Sequence, residues 1–108
     1  LKEPKESREI RLKIGVNEFK SYGEGVIEQL KAFVKEQSDW SLVSNNYEGI
    51  RVACSSSEED GWFLLRLSLH DPVLPLNVES NVEGGVDKIV ERLLTFFNGI
   101  ESLDLSAF

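Results

Sequence analysis

Apolar and polar residues alternate in short stretches along much of the chain, as they do in β-strands that bury one face. In the first such stretch, charged side chains separate Ile10, Leu12 and Ile14. The stretches with strand-like patterns are residues 9–15, 40–43, 47–55, 62–69 and 73–79. The pattern therefore predicts five strands, the last four of which follow one another without an intervening helix.

A longer stretch, residues 21–37, has the period of an amphipathic helix. Ser21 and Glu24 have the spacing of a capping box at its start. Its apolar stripe comprises Val26, Ile27, Leu30, Phe33 and Val34. We expect this stripe to pack on the core of the domain, with a partner-binding helix as the alternative.

A second helix is predicted to begin after Asn81, which can cap it, and to end near Gly99. Gly84 and Gly85 would lie in its first turn, where each glycine costs roughly 1 kcal/mol relative to alanine. Its apolar stripe comprises Val82, Val86, Ile89, Val90, Leu93, Leu94, Phe96 and Phe97.

The predicted order of strand, helix, four strands and helix indicates a two-layer α+β domain. We expect an antiparallel sheet of four to five strands with both helices on one face. The 108 residues suit one domain, predicted to span residues 9–100. Residues 1–8 are predicted to be a linker tail arriving from an upstream part of a longer protein. Residues 101–108 form a C-terminal tail, whose apolar side chains are expected to dock on the core.

Acidic residues outnumber basic ones by 19 to 12, which gives a net charge of −7. This charge argues against nucleic acid and anionic membrane surfaces as partners. No apolar run approaches the roughly 20 residues of a membrane span. We therefore expect neither a nucleic-acid nor a membrane partner.

The chain has one cysteine, Cys54, and one histidine, His70, which cannot build the usual metal or triad sites. Cys54 is expected to be a small buried hydrophobic residue. The absence of an internal disulfide suits a reducing compartment, either the cytoplasm or an organelle such as a plastid. Residues 55–61, rich in serine and acids, are predicted to form an exposed loop rather than a cation site.

Arg66 and Ser68 are two residues apart near the end of a predicted strand, so both point to the same face. A guanidinium and a hydroxyl beside a turn can together bind a small anion. Alternatively, Arg66 pairs with Asp71 or Glu79 and Ser68 bonds locally. His70 is either a further anion donor or an exposed turn residue.

Residues 66–74, RLSLHDPVL, resemble the phosphate-binding loop in the last domain of the α-D-phosphohexomutases. This family includes phosphomannomutase/phosphoglucomutase and phosphoglucosamine mutase, and its loop usually runs Arg-x-Ser-(Gly or Asn)-Thr-(Glu or Thr)-Pro. Arg66, Ser68 and Pro72 match this motif, whereas Leu69 and His70 depart from it. Asp71 is a shorter acid at a position where the family often has glutamate.

The likeness covers nearly the whole chain, roughly residues 8–98, because the predicted order of elements is also that of the family's last domain. Residues 47–52, YEGIRV, are in addition similar to the family's DG(V/I)(R/K)V strand. The likeness implies a fold of the TATA-binding-protein-like class and a phosphosugar ligand at Arg66, Ser68, Leu69 and His70. It also implies a parent enzyme that moves a phosphoryl group between C1 and C6 of a hexose. The phosphoserine and Mg²⁺ of that reaction would belong to upstream domains, so this domain alone would be neither catalytic nor cofactor-binding.

A rival interpretation is a non-catalytic binding or structural domain that kept the fold and lost phosphate recognition. Leu69 and His70 favour it, as does the lack of the family's second arginine, since Pro75 and Asn77 occupy the candidate positions. Nucleic-acid binding through the sheet is a third possibility. The net charge and the lack of a recognisable basic and aromatic face argue against it.

Overall fold

The computed structural model describes residues 3–46, 49–68 and 70–108. The elements in chain order are β1 (Glu6–Ile14), α1 (Phe19–Lys35), β2 (Trp40–Asn46), β3 (Gly49–Cys54), β4 (Gly61–Arg66), β5 (Val73–Ser80), α2 (Gly85–Phe97) and β6 (Leu103–Asp104).

The strands form one antiparallel sheet in the order β2-β3-β4-β5-β1-β6. β1 begins at Glu6, which pairs with Ser80, so ordered structure starts inside the segment predicted to be a linker tail. β6 pairs with β1 from within the predicted C-terminal tail. The sheet of six strands exceeds the predicted four to five because β6 has two residues and no periodicity of its own.

One face of the sheet is buried against both helices, which confirms the predicted two-layer α+β architecture. Alternate strand residues and the apolar stripes of the helices form a single buried cluster. In α1 the buried residues include Val26, Ile27, Leu30 and Val34, as predicted. The other face, which we call the open face, is exposed at alternate β1 positions such as Arg11 and Lys13. Neither helix in the described ranges has the length and apolarity needed to cross a membrane.

The helices begin differently from the sequence prediction. α1 starts at Phe19 after Glu18, without a side-chain cap. The Ser21 hydroxyl instead donates to the Glu18 carbonyl at 3.3 Å, so the predicted capping box of Ser21 and Glu24 is wrong. A helix cap uses the hydroxyl to accept an N–H, and this hydroxyl lies inside the helix instead.

The start of α2 depends on the two glycines that were predicted to weaken it. Gly84, not Asn81, is the N-cap residue, and its φ of 79° is a left-handed conformation that favours glycine. A Cβ atom on Gly85 would lie 1.9 Å from the Ser80 Oγ and 2.7 Å from the Glu59 carbonyl oxygen. Both glycines therefore allow the chain to turn tightly from β5 into α2.

The C-terminal residues pack on the core, as predicted. Leu103, Leu105 and Phe108 are partly buried against it. The Phe108 ring centroid lies 5.7 Å from that of Phe97, near the end of α2. The tail thus covers one end of the helical layer.

Candidate functional site

Arg66 is the last residue of β4 and lies on the open face. Strand alternation places Phe63 and Leu65 in the core, whereas Arg66 is exposed. Among the described residues, none forms a hydrogen bond or ion pair with its side chain, and this includes both Asp71 and Glu79. The guanidinium is therefore available to an external ligand, and the alternative of an internal hairpin ion pair is not what the structure contains.

Gly49 on β3 makes room for the Arg66 side chain. The two residues are cross-strand partners. A Cβ atom on Gly49 would lie 3.4 Å from the Arg66 Cγ and 2.4 Å from the Leu65 carbonyl oxygen. The stem of Arg66 thus lies against the backbone of β3. In the sequence, this glycine is recognisable only as part of a strand motif.

Ser68 organises the loop that follows Arg66. Its backbone N–H donates to the Val73 carbonyl at 3.2 Å, which continues the β4–β5 register beyond the end of β4. Its hydroxyl oxygen accepts the Asp71 backbone N–H at 3.2 Å. The hydroxyl proton remains able to donate to a ligand, so the local bond and an anion-binding role are compatible.

The remaining loop residues give less information. His70 and Asp71 are exposed. Leu69, the fourth predicted site residue, lies outside the described residues. The Pro72 carbonyl accepts the Ile14 backbone N–H at 2.7 Å, which ties the loop to the end of β1. The loop thus joins β4 and β5 directly beside the open face of β1.

The open face contains one contact between a basic and an aromatic side chain, which the sequence pattern does not reveal. The Arg51 guanidinium carbon lies 4.1 Å from the Trp62 ring centroid, a cation–π contact. Sheet pairing brings the two together, because β3 and β4 align Arg51 with Leu64 and Ala53 with Trp62. The expectation of no nucleic-acid partner therefore depends on the net charge of −7 alone.

A second group of charged residues lies on the helical side and is centred on Arg92 of α2. Its guanidinium bonds both oxygens of Asp39, at 2.9 Å each, and both oxygens of Glu59, at 3.0 and 2.8 Å. It also donates to the Gln37 side-chain oxygen at 2.8 Å and stacks on the Trp40 ring, 4.1 Å from its centroid. These contacts engage both terminal nitrogens of the guanidinium with groups of the protein itself.

Glu59 is buried, with 3% of its surface exposed, although it lies in the loop predicted to be fully solvated. The Trp40 indole N–H donates to its carboxylate at 2.8 Å. Its partners lie far away in sequence, so the pattern of the loop alone could not reveal the burial. We interpret the Arg92 network as a structural tie between this loop and α2.

The network also shifts pKa values. Hydrogen bonds from Arg92 lower the pKa of Asp39 below its ordinary value. Burial lowers the pKa of Arg92, but its hydrogen bonds to Asp39 and Glu59 outweigh burial and the net shift is upward. Both shifts favour the charged forms, as expected for a stable ion pair.

Neither Cys54 nor the metal-ligating side chains that the structure describes form a further candidate site. Cys54 is buried as predicted, and burial raises the pKa of its thiol, so it is a poor nucleophile. In the parts of the chain that the structure describes, no three His, Cys, Asp or Glu side chains converge as a metal site requires.

A scan of protein-family models finds no match to this sequence, and a search of curated proteins finds none.

Proposed function

We propose that this chain is the C-terminal, phosphate-holding domain of a phosphohexomutase-like enzyme. The observation that carries the proposal is the exposed guanidinium of Arg66 at the end of β4, which has no hydrogen-bond or ion-pair partner in the described part of the chain. It stands directly before a tight loop in which Ser68 can still donate its hydroxyl proton. An arginine fork suits a phosphate because two parallel N–H groups meet two oxygens at once.

In this proposal the domain binds the phosphate that does not react. Binding energy at that remote phosphate positions the reacting end of the hexose and excludes water from it. The parent would be an intramolecular phosphotransferase acting on a hexose phosphate, and its phosphoserine and Mg²⁺ would lie in upstream domains. The phosphosugar and those domains would be the partners of this chain, in the cytoplasm or an organelle such as a plastid.

The second candidate is a domain that kept the fold and lost phosphate recognition. The hydrogen bond from the Asp71 N–H to the Ser68 hydroxyl favours it, because that N–H is then unavailable to a ligand. The exposed carboxylate of Asp71 would also repel an anion at close range.

Amide NMR separates the two candidates. The ¹⁵N-labelled chain is titrated with glucose 1-phosphate, with sodium chloride holding the ionic strength constant. The proposal predicts weak, saturable shifts, with a Kd in the millimolar range, confined to residues 66–73 and the neighbouring end of β1. If no shift saturates, or if the shifts are spread evenly over charged surfaces, the proposal is wrong and the second candidate, a domain without phosphate recognition, is favoured.

A further inference from the structure

The register of three neighbouring strands aligns two arginines across the open face. β4 and β5 pair Leu65 with Leu76, and the Ser68–Val73 hydrogen bond continues that register, so Arg66 lies beside Pro75. β5 and β1 pair Pro75 with Arg11. Arg66, Pro75 and Arg11 therefore form one row across the sheet.

The spacing of this row suits one small ligand. Adjacent strands lie about 4.8 Å apart, so the Cα atoms of Arg66 and Arg11 are separated by about 10 Å. An extended arginine side chain reaches more than half that distance, and both guanidiniums can meet above Pro75. Pro75 is buried although it faces the open side, so it forms the surface between Arg66 and Arg11 over which a ligand would lie.

The Arg11 side chain, like that of Arg66, is available to an external ligand. It is exposed, and in the described ranges its side chain has no hydrogen-bond or ion-pair partner. Lys13 is exposed two residues further along the same strand, opposite Asp104 of β6. On β1 and on this face, the carboxylate nearest to Arg11 is that of Glu9, which lies on the side of Arg11 away from the β4–β5 loop.

The charge of the open face contrasts with that of the chain. Its cations on β1, β3 and β4 are Arg11, Lys13, Arg51 and Arg66. Its carboxylates on β1, β5 and β6 are Glu9, Glu79 and Asp104, the last of which lies opposite Lys13. The excess of cations here, in a chain of net charge −7, marks this end of the sheet as the place where an anion is attracted.

We propose that Arg11 supplies the second arginine of the phosphate site, which extends from the Arg66 loop across Pro75 to β1. This inference rests on the proposed function and deepens it. The ligand class is a phosphate monoester, whose two negative charges and terminal oxygens can engage two guanidiniums at once. A phosphodiester, with one charge and two unesterified oxygens, fits the pair less well.

The test observes the arginine side chains directly. The Nε–Hε resonances of the chain are followed while methyl phosphate or dimethyl phosphate is added at neutral pH and constant ionic strength. Methyl phosphate is expected to shift the Arg66 and Arg11 resonances with the same midpoint. Arg8 is the matched control, because it lies on β1 but on the opposite face.

Variants measure the contribution of each arginine. Arg11→Ala is expected to weaken methyl phosphate binding by roughly three- to tenfold, and Arg8→Ala to leave it unchanged. Dimethyl phosphate is expected to bind more weakly than methyl phosphate. Equal or tighter binding of the diester would overturn the assignment and point instead to a nucleic-acid backbone.

The outcomes separate this inference from the proposed function. If Arg66 responds to methyl phosphate and Arg11 does not, the loop binds alone and only the role of Arg11 is wrong. If neither responds, both proposals are wrong. If Arg8, Arg11 and Arg66 shift together without saturation, the effect is screening by a counter-ion, and the two-arginine site is also refuted.

Discussion

Removing the Arg92 side chain should destabilise the domain more than any other single loss of charge on its surface. Arg92→Ala takes from Glu59 both of its guanidinium hydrogen bonds and leaves it the Trp40 indole N–H. The Glu59 side chain is 4% exposed, so its carboxylate would remain buried without a counter-charge. Breaking a buried pair in this way typically costs about 3–5 kcal/mol.

The lower end of that range applies here. The Arg92 side chain is 29% exposed, so water can enter the space it leaves and partly solvate Glu59. We therefore expect a loss of about 3 kcal/mol, which corresponds to a fall in Tm of roughly 13 °C for a domain of this size. Replacing Glu59 by glutamine in the Arg92→Ala background should recover more than half of the loss, because no unpaired charge then remains buried.

Urea denaturation followed by tryptophan fluorescence measures these free energies of unfolding, provided that the m-values agree. Lys88→Ala is the matched control, since Lys88 lies on the same helix and pairs with Glu58 at the exposed surface. Its expected effect is within about 0.5 kcal/mol. A loss below about 1 kcal/mol for Arg92→Ala, or no recovery in the double variant, would show that the network is not a structural tie. The cleft beside the network, whose lining includes Asp39, Lys88 and Arg92, would then become a rival candidate site.

Three further predictions concern the same fold. Arg66→Ala should change the free energy of unfolding by less than about 0.5 kcal/mol, because Arg66 is exposed and pairs with no residue that the structure describes, and a larger change in urea denaturation would indicate a structural role. Gly25→Ala, in open space on α1, should stabilise by about 0.5–1 kcal/mol, whereas Gly85→Ala should destabilise by about 1–3 kcal/mol in the same assay. The fold lowers the pKa of Asp39, so this carboxylate should stabilise the folded state at pH values above its ordinary pKa of about 3.9. That contribution should be lost as the pH falls through the lower pKa of the folded state. The stability difference between the wild-type chain and Asp39→Asn should therefore shrink in acid, and a constant difference would refute the pairing.

The architecture was predictable because its dominant signal is local. Alternation in β1 and the stripe of α1 follow from neighbouring residues, and they identified most of the core correctly. The helix starts were not predictable in the same way. Whether Gly85 weakens a helix or permits a close approach depends on Ser80 and Glu59, which meet it only after the chain has folded.

The candidate site likewise contains some residues that local sequence reveals and others that only the folded chain brings together. Arg66 and Ser68 could be found because they are close in sequence and follow a strand. Arg11 could not, because its place beside Pro75 depends on β1 being inserted between β5 and β6. The partners of Arg92 are equally remote in sequence, since Glu59 and Asp39 come from different loops. Sheet order and side-chain burial, rather than any local motif, bring these groups together.

The most direct test of the central claim is the Kd of the chain for glucose 1-phosphate, compared between the wild type and Arg66→Ala. Arg8→Ala removes the same charge from the opposite face of the sheet and serves as the control. We predict saturable binding that weakens by about tenfold in Arg66→Ala and is unchanged in Arg8→Ala. Equal affinities for the wild type and Arg66→Ala, or an equal loss in both variants, would contradict a phosphate site at the end of β4.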